Sequence, residues 1–193
     1  MSIPARILSN MYATPSDRTC VLFTNRYSEL IPALMRAWRL LCIVHPTEPQ
    51  EQIAELRARC PAGVALLSYT PGRADATVQE LRRLSPSLII TYSFQHILPA
   101  DYLSVCPGIN LHPSLLPAYP GLNPWQEQIR DGVKESGYTI HRLTPQADAG
   151  QILCRVSYTW PDPLPEPAEL RDSSLRLYAI PLLLNLLANN KDL

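Results

Sequence analysis

Between residues 20 and 92 the chain alternates short apolar runs with amphipathic stretches, and this alternation restricts the fold more than any other feature. Residues 20–23 (CVLF), 40–44, 64–67 and 87–92 (SLIITY) read as strands, the last apolar enough to be covered on both faces. Between the first two, Leu30, Ile31, Leu34, Met35 and Trp38 share one helical face. Ser28 is the expected N-cap of that helix, and Pro32 falls in its first turn, where a missing N–H does least harm. Residues 49–59 form a second helix carried by Ile53, Leu56 and Ala58, and residues 77–84 a third. Strands that alternate with helices imply crossover connections. The expected class is therefore α/β, a mostly parallel open sheet with helices on both faces. The 193 residues fit one such domain, residues 1–193, and no internal repeat or linker interrupts them.

After Gly108 the pattern changes. Residues 109–112 read as a short strand stopped by Pro113, followed by a proline-rich loop (113–121) and a helix over 124–130. Residues 138–143 and 151–158 are two further strands, and a leucine-rich helix from Glu166 onward is expected to kink at Pro181. Of seven glycines, five (Gly108, Gly121, Gly132, Gly137, Gly150) fall in this middle stretch. Glycine collects where backbone turns sharply or approaches a ligand, so this stretch is the expected functional part.

Bulk properties narrow the function classes. Lys+Arg and Asp+Glu are equal at 17 each, so nothing draws the chain toward nucleic acid or an anionic membrane surface. Five dispersed cysteines (Cys20, Cys42, Cys60, Cys106, Cys154) show no metal-ligand spacing and read as reduced, buried side chains; no metal is expected. Residues 1–18 lack the apolar core of a secretory leader, and the apolar run 182–187 is too short to span a bilayer. A cytoplasmic protein is the expectation, with the oligomeric state, a homodimer included, left open.

Three polar residues stand out: Asn110, His112 and Asp148. Asn110 and His112, two apart on a strand, share a face while Leu111 points into the core. His112 falls at the strand's carboxyl end, where open α/β sheets bind ligands, and Asp148, in the loop before Gly150, can fold back beside it.

The strings INLHPSLLPAYPG (109–121), GYTIHRLTPQADAGQIL (137–153) and SLIITYSFQHILP (87–99) resemble the folate-dependent formyltransferase family. The resemblance implies a Rossmann-like formyltransferase fold and a catalytic trio at Asn110, His112 and Asp148. It also implies a 10-formyltetrahydrofolate pocket walled by Gln95, His96, Ile97 and Leu98 on one side and Leu143, Thr144, Gln146 and Ala147 on the other. Tyr119 to Trp125 looks closer to the glycinamide ribonucleotide branch, and His141 stands where the family keeps a supporting histidine. In such a site Asn110 and His112 would donate to the oxyanion that develops as a formyl group passes to an amine, and Asp148 would orient His112 and favour its cation.

The turn after the first strand, Thr24-Asn25-Arg26-Tyr27-Ser28, lacks the glycines with which relatives hold an acceptor's phosphate. Asn25, Arg26 and Arg176 are the candidate acceptor-binding residues. The expected acceptor is a small-molecule amine: a glycinamide ribonucleotide-like compound, an amino sugar or an amino-acid derivative. Two rival readings remain, a formyltetrahydrofolate hydrolase and a folate-binding module without catalysis.

Overall fold

The computed structural model describes residues 18–190 apart from 48 and 73, so the leader reading for the N-terminus lies outside the described residues. Seven strands form one sheet in the order β3-β2-β1-β4-β5-β6-β7. They are β1 (Thr19–Phe23), β2 (Arg39–Pro46), β3 (Ala65–Tyr69), β4 (Leu88–Thr91), β5 (Gly108–His112), β6 (Glu135–Arg142) and β7 (Ile152–Thr159). The first five pair in parallel, whereas β6 and β7 are antiparallel additions beside β5. The helices are α1 (Leu30–Ala37), α2 (Gln50–Arg59), α3 (Ala74–Leu84), α4 (Ala100–Leu103), α5 (Pro124–Arg130), α6 (Pro167–Ser174) and α7 (Ile180–Asn189). The expected α/β architecture is the one observed.

Strand alternation divides the sheet between two cores. Cys20, Leu22, Leu88, Ile90, Ile109, Leu111, Tyr138 and Ile140 face one side and pack with Leu30 and Leu34 of α1, Leu56 of α2 and Leu183 of α7. Val21, Phe23, Cys42, Val44 and Ile89 face the other, against Val78 and Leu81 of α3 and Tyr102 of α4. Phe23 meets Tyr102 and Phe94 edge-on at 5.6 and 5.3 Å.

Local departures from the expected pattern have physical causes. The N-cap of α1 is Glu29 rather than Ser28, and no side chain caps it; the Ser28 carbonyl instead accepts the Ile31 N–H at 3.1 Å. The C-terminal helix breaks before Pro181, not at it. Leu175–Ala179 form a π-helical turn in which the Ile180 N–H reaches back to Leu175 O. A proline ring collides with the carbonyl four residues earlier, and widening the preceding turn removes that collision and leaves Pro181 in the first turn of α7.

Gly137 sets the spacing at the antiparallel edge. A Cβ there would stand 2.3 Å from Val156 O on β7 and 2.4 Å from Leu115 Cδ2. Gly137→Ala is expected to destabilise the fold by about 1–3 kcal/mol, the usual effect of overpacking, read as a lowered midpoint in urea unfolding.

Candidate active site

Parity and register decide which polar side chains meet. Because Ile109 and Leu111 point into the larger core, Asn110 and His112 face the opposite side. Parallel pairing sets Thr91 of β4 beside Asn110, and antiparallel pairing sets His141 of β6 opposite Asn110. Thr91 Oγ1 donates to Asn110 Oδ1 at 2.7 Å. The carboxamide is thereby oriented with Nδ2 toward His141 Nε2 (3.1 Å) and Asp148 Oδ1 (3.3 Å).

Asp148 reaches these strands from the β6–β7 loop in a left-handed conformation, φ 50°, which aspartate tolerates better than most residues. Gly150 lets the loop close, since a Cβ there would lie 1.8 Å from Arg142 O. Asp148 Oδ2 accepts the Gly121 N–H at 2.7 Å, and Oδ1 stands 3.3 Å from His141 Nε2 and 3.5 Å from His112 Nδ1.

The proline-rich loop after β5 forms the remaining side and is pinned at several points. Thr139 Oγ1 donates to Ser114 O at 2.7 Å and accepts the Leu116 N–H at 3.0 Å, while Gln128 Nε2 donates to Pro113 O at 3.0 Å. Ser114 Oγ donates to Ala118 O at 2.7 Å, a structural role within the loop. The loop delivers the Tyr119 carbonyl to His112 Nε2 at 2.9 Å.

A carbonyl only accepts, so the proton of a neutral His112 sits on Nε2 and leaves Nδ1 bare toward Asp148. Burial lowers the His112 pKa from 6.5; the Asp148 charge and the Tyr119 bond oppose it and do not prevail. Asp148 favours the cation, as expected, but burial outweighs it and holds the ring toward its neutral form. For Asp148, burial acts upward, but hydrogen bonds from His141 and the Gly121 N–H, with the two imidazoles, hold the carboxyl below its ordinary 3.8. His141 Nδ1 donates to Arg142 O at 2.9 Å, so a neutral His141 accepts from Asn110 through Nε2, and a second proton on Nε2 would turn to Asp148.

Asn110, His112 and Asp148 open onto a cavity of about 330 Å3. Gln95, His96, Ile97 and Leu98 line one wall, and Leu143, Thr144, Gln146 and Ala147 the other. His96 packs its ring against Tyr69 at 5.1 Å and Phe94 at 5.5 Å. Trp125 borders the cavity and packs on Trp160, whereas Tyr119 contributes its carbonyl. The candidate acceptor residues separate. Asn25 is buried and accepts from Ser93 Oγ at 3.0 Å, Arg26 is half-buried, and Arg176 is exposed on the π-helical turn; none of the three lines the cavity. Arg171 of α6 does line it, and with Thr91 it is a site residue the sequence did not single out. Thr91 closes an apolar strand run, a visible signal; Arg171 depends on how α6 packs, for which the local pattern carries none.

A family model described as formyl transferase matches residues 41–159. The chain belongs to the formyl transferase family. The methionyl-tRNA formyltransferase of Campylobacter fetus subsp. fetus (strain 82-40) is 42% identical over 79 residues, which are 41% of this chain and 26% of that relative. The match thus spans about a quarter of the relative's length. Among solved structures, phosphoribosylglycinamide formyltransferase from Bacillus halodurans superposes with a TM-score of 0.72 at 19% identity, covering 91% of this chain and 98% of that one. The corresponding enzyme from Brucella melitensis gives a TM-score of 0.67 at 25% identity, covering 90% and 97%. The formyl transferase fold expected from the sequence is the fold observed, while the sequence match and the shape matches fall on different branches of the family. Among the described residues no helix is long and apolar enough to cross a membrane.

In an NMR titration His112 is expected to titrate below 6.5, and Asp148→Asn, which removes the charge acting upward, to lower it further. Because the folded ring resists a proton that the unfolded ring takes up near 6.5, stability falls on acidification between 6.5 and the folded value. His112→Asn should flatten that part of the stability profile.

Proposed function

We propose that this formyl transferase family member moves a formyl group from 10-formyltetrahydrofolate to the amine of a small molecule. The observation that carries the reading is the convergence of one carboxamide, one imidazole and one carboxylate at the end of a single cavity. The cavity suits a pterin edge. Among the described residues, the main-chain N–H groups of Gln95–Leu98 and of Thr144, Gln146, Ala147 and Asp148 have no hydrogen-bond partner, so two walls present fixed donors to a flat ligand. Leu98 and Leu143 add apolar surface beside them.

The carrier supplies an electrophilic formyl carbon, and the chain supplies the rest. Asn110 Nδ2, its oxygen held by Thr91, turns the N–H that meets Asp148 Oδ1 at 3.3 Å to the oxygen on which negative charge develops. The bare Nδ1 of His112 accepts the proton that leaves the attacking amine, Asp148 Oδ1, 3.5 Å away, stabilises the imidazolium so formed, and the proton passes on to the carrier nitrogen as its bond to the formyl carbon breaks. No nucleophilic side chain is required, and burial raises the Cys106 thiol to about 11, out of reach of thiolate chemistry near neutrality. The 42% match over 79 residues favours a second reading, with the amine borne by an aminoacyl-tRNA.

The test supplies 10-formyltetrahydrofolate with a panel of small amines, with methionyl-tRNA in a separate arm, and follows carrier release by absorbance. A formylated small amine supports the proposal; transfer to methionyl-tRNA alone, or formate release without any amine, overturns it. Asn110→Ala is expected to lower kcat by about 10²–10³ while carrier affinity, measured calorimetrically, stays within a few-fold. Since His112 must be neutral to take a proton, the acid limb of kcat/KM against pH is expected below 6.5.

A further inference from the structure

The loop between β5 and α5, residues 113–123, carries two groups on which the site depends. The Tyr119 carbonyl accepts from His112 Nε2 at 2.9 Å, and the Gly121 N–H donates to Asp148 Oδ2 at 2.7 Å. One side chain, set behind the cavity wall, joins the two ends of this loop. Gln128 of α5 is 1% exposed. Its Nε2 donates to Pro113 O, directly after His112, at 3.0 Å and to Pro124 O, at the start of α5, at 2.9 Å. Its Oε1 accepts from Ser136 Oγ at 2.7 Å, and Ser136, fully buried on β6, thereby fixes which way the carboxamide points. No other hydrogen bond reaches Pro113 O among the described residues. Pro113 and Pro124 both line the cavity.

The His112 tautomer depends on where this loop sits. A neutral imidazole carries one proton, and two acceptors compete for it: Tyr119 O beside Nε2 and Asp148 Oδ1 near Nδ1. A carboxylate is ordinarily the stronger acceptor. Here it stands 3.5 Å off, beyond good hydrogen-bond distance, and the same oxygen accepts from Asn110 Nδ2 at 3.3 Å. The 2.9 Å bond to Tyr119 therefore wins, and Nδ1 stays bare. The margin is positional. Tyr119 is held at φ 55°, a left-handed conformation that a tyrosine adopts only where surrounding contacts over-determine it. Were the loop to relax, the proton would pass to Nδ1, toward Asp148, and the atom that receives the amine proton would already be occupied. Thr139 and Arg155 pin the loop along residues 114–116, while Gln128 closes it at its base.

We infer that Gln128, oriented by Ser136, is a positioning residue for His112: by closing the loop at Pro113 and Pro124 it keeps the Tyr119 carbonyl on Nε2 and so holds Nδ1 free to accept a proton. The inference rests on the transfer reading, in which Nδ1 is the base, and adds to that site a residue that touches neither substrate.

The test reads the tautomer of His112 by NMR in the full chain with isotope-labelled histidine, at a pH well above 6.5 where the ring is neutral. The unaltered chain is expected to carry the proton on Nε2. Gln128→Met, similar in length but without N–H donors, should shift the population measurably toward Nδ1–H. It should also lower kcat about tenfold or more with the carrier KM within about threefold, since a positioned base contributes about 10²–10⁴. Gln126→Met, at an exposed position of the same helix, is the control and should leave both readouts unchanged. Ser136→Ala lets the carboxamide turn and should move both readouts the same way by less. Ser136→Thr, which keeps the hydroxyl, should bring them back toward the unaltered chain, a gradation that misfolding would not give. If Gln128→Met does not fold, the Ser136 pair decides. A proton on Nδ1 in the unaltered chain overturns the role, as does an unaltered tautomer or kcat in Gln128→Met and Ser136→Ala, or an equal shift in Gln126→Met. The tautomer is read without substrate, so the two readings fail separately. A shifted tautomer in a chain that formylates no amine keeps Gln128 in its role and sinks the transfer reading; formylation indifferent to Gln128 does the reverse.

Discussion

The Asp148 carboxylate is the point on which the polar end of the sheet depends. Oδ2 holds the Gly121 N–H, while Oδ1 faces Asn110 Nδ2 and both imidazoles within 3.5 Å. These contacts tie together β5 with the loop that follows it, β6 and the β6–β7 loop. A carboxylate taken largely out of water is costly unless satisfied, so the arrangement persists because each oxygen has donors within reach. Ser93, Tyr119 and Asp148 have positive φ values of 51°, 55° and 50°, so the backbone is least relaxed around this cavity. Local strain of that kind is tolerated where surrounding contacts over-determine it.

The sheet supplies the precision and the loops the chemistry. Asn110 is held from both sides by neighbouring strands, through Thr91 on β4 and His141 on β6. Orientation by register is more exact than orientation by loop, since a one-residue slip would send every one of these side chains into the opposite core. The antiparallel β6 is essential to this arrangement, because it brings His141 opposite Asn110.

The apolar strands were legible because burial on both faces leaves an unbroken run, and CVLF and SLIITY fell within a residue or two of β1 and β4. Strand β3 was placed less well; its half-exposed pattern carries little contrast, and it runs on to Tyr69. Helix α4, a single turn after Pro99, is too short to show periodicity and was not read at all. In the site, period-two alternation was enough to put Asn110 and His112 on one face, Asp148 stood out in the loop before Gly150, and the family resemblance implied its role. The sequence showed the carboxylate that favours a charged His112 but not the depth at which the ring lies, which decides its protonation. Arg171 was invisible for a related reason: whether a helical arginine faces solvent or a cavity depends on packing, not on its neighbours in the chain.

The π-helical turn over Leu175–Ala179 separates two duties of the C-terminal segment. Upstream, α6 aims Arg171 into the cavity; downstream, α7 seats Leu183 and Leu187 in the core. Successive residues of an ordinary helix differ by about 100° in direction, so the extra residue in the wide turn sets the angular phase between these two faces. A one-residue indel there would leave composition almost untouched yet rotate one face out of place. The irregular turn therefore acts as a spacer in rotation, fixing where Arg171 meets the cavity relative to the hydrophobic anchor of α7.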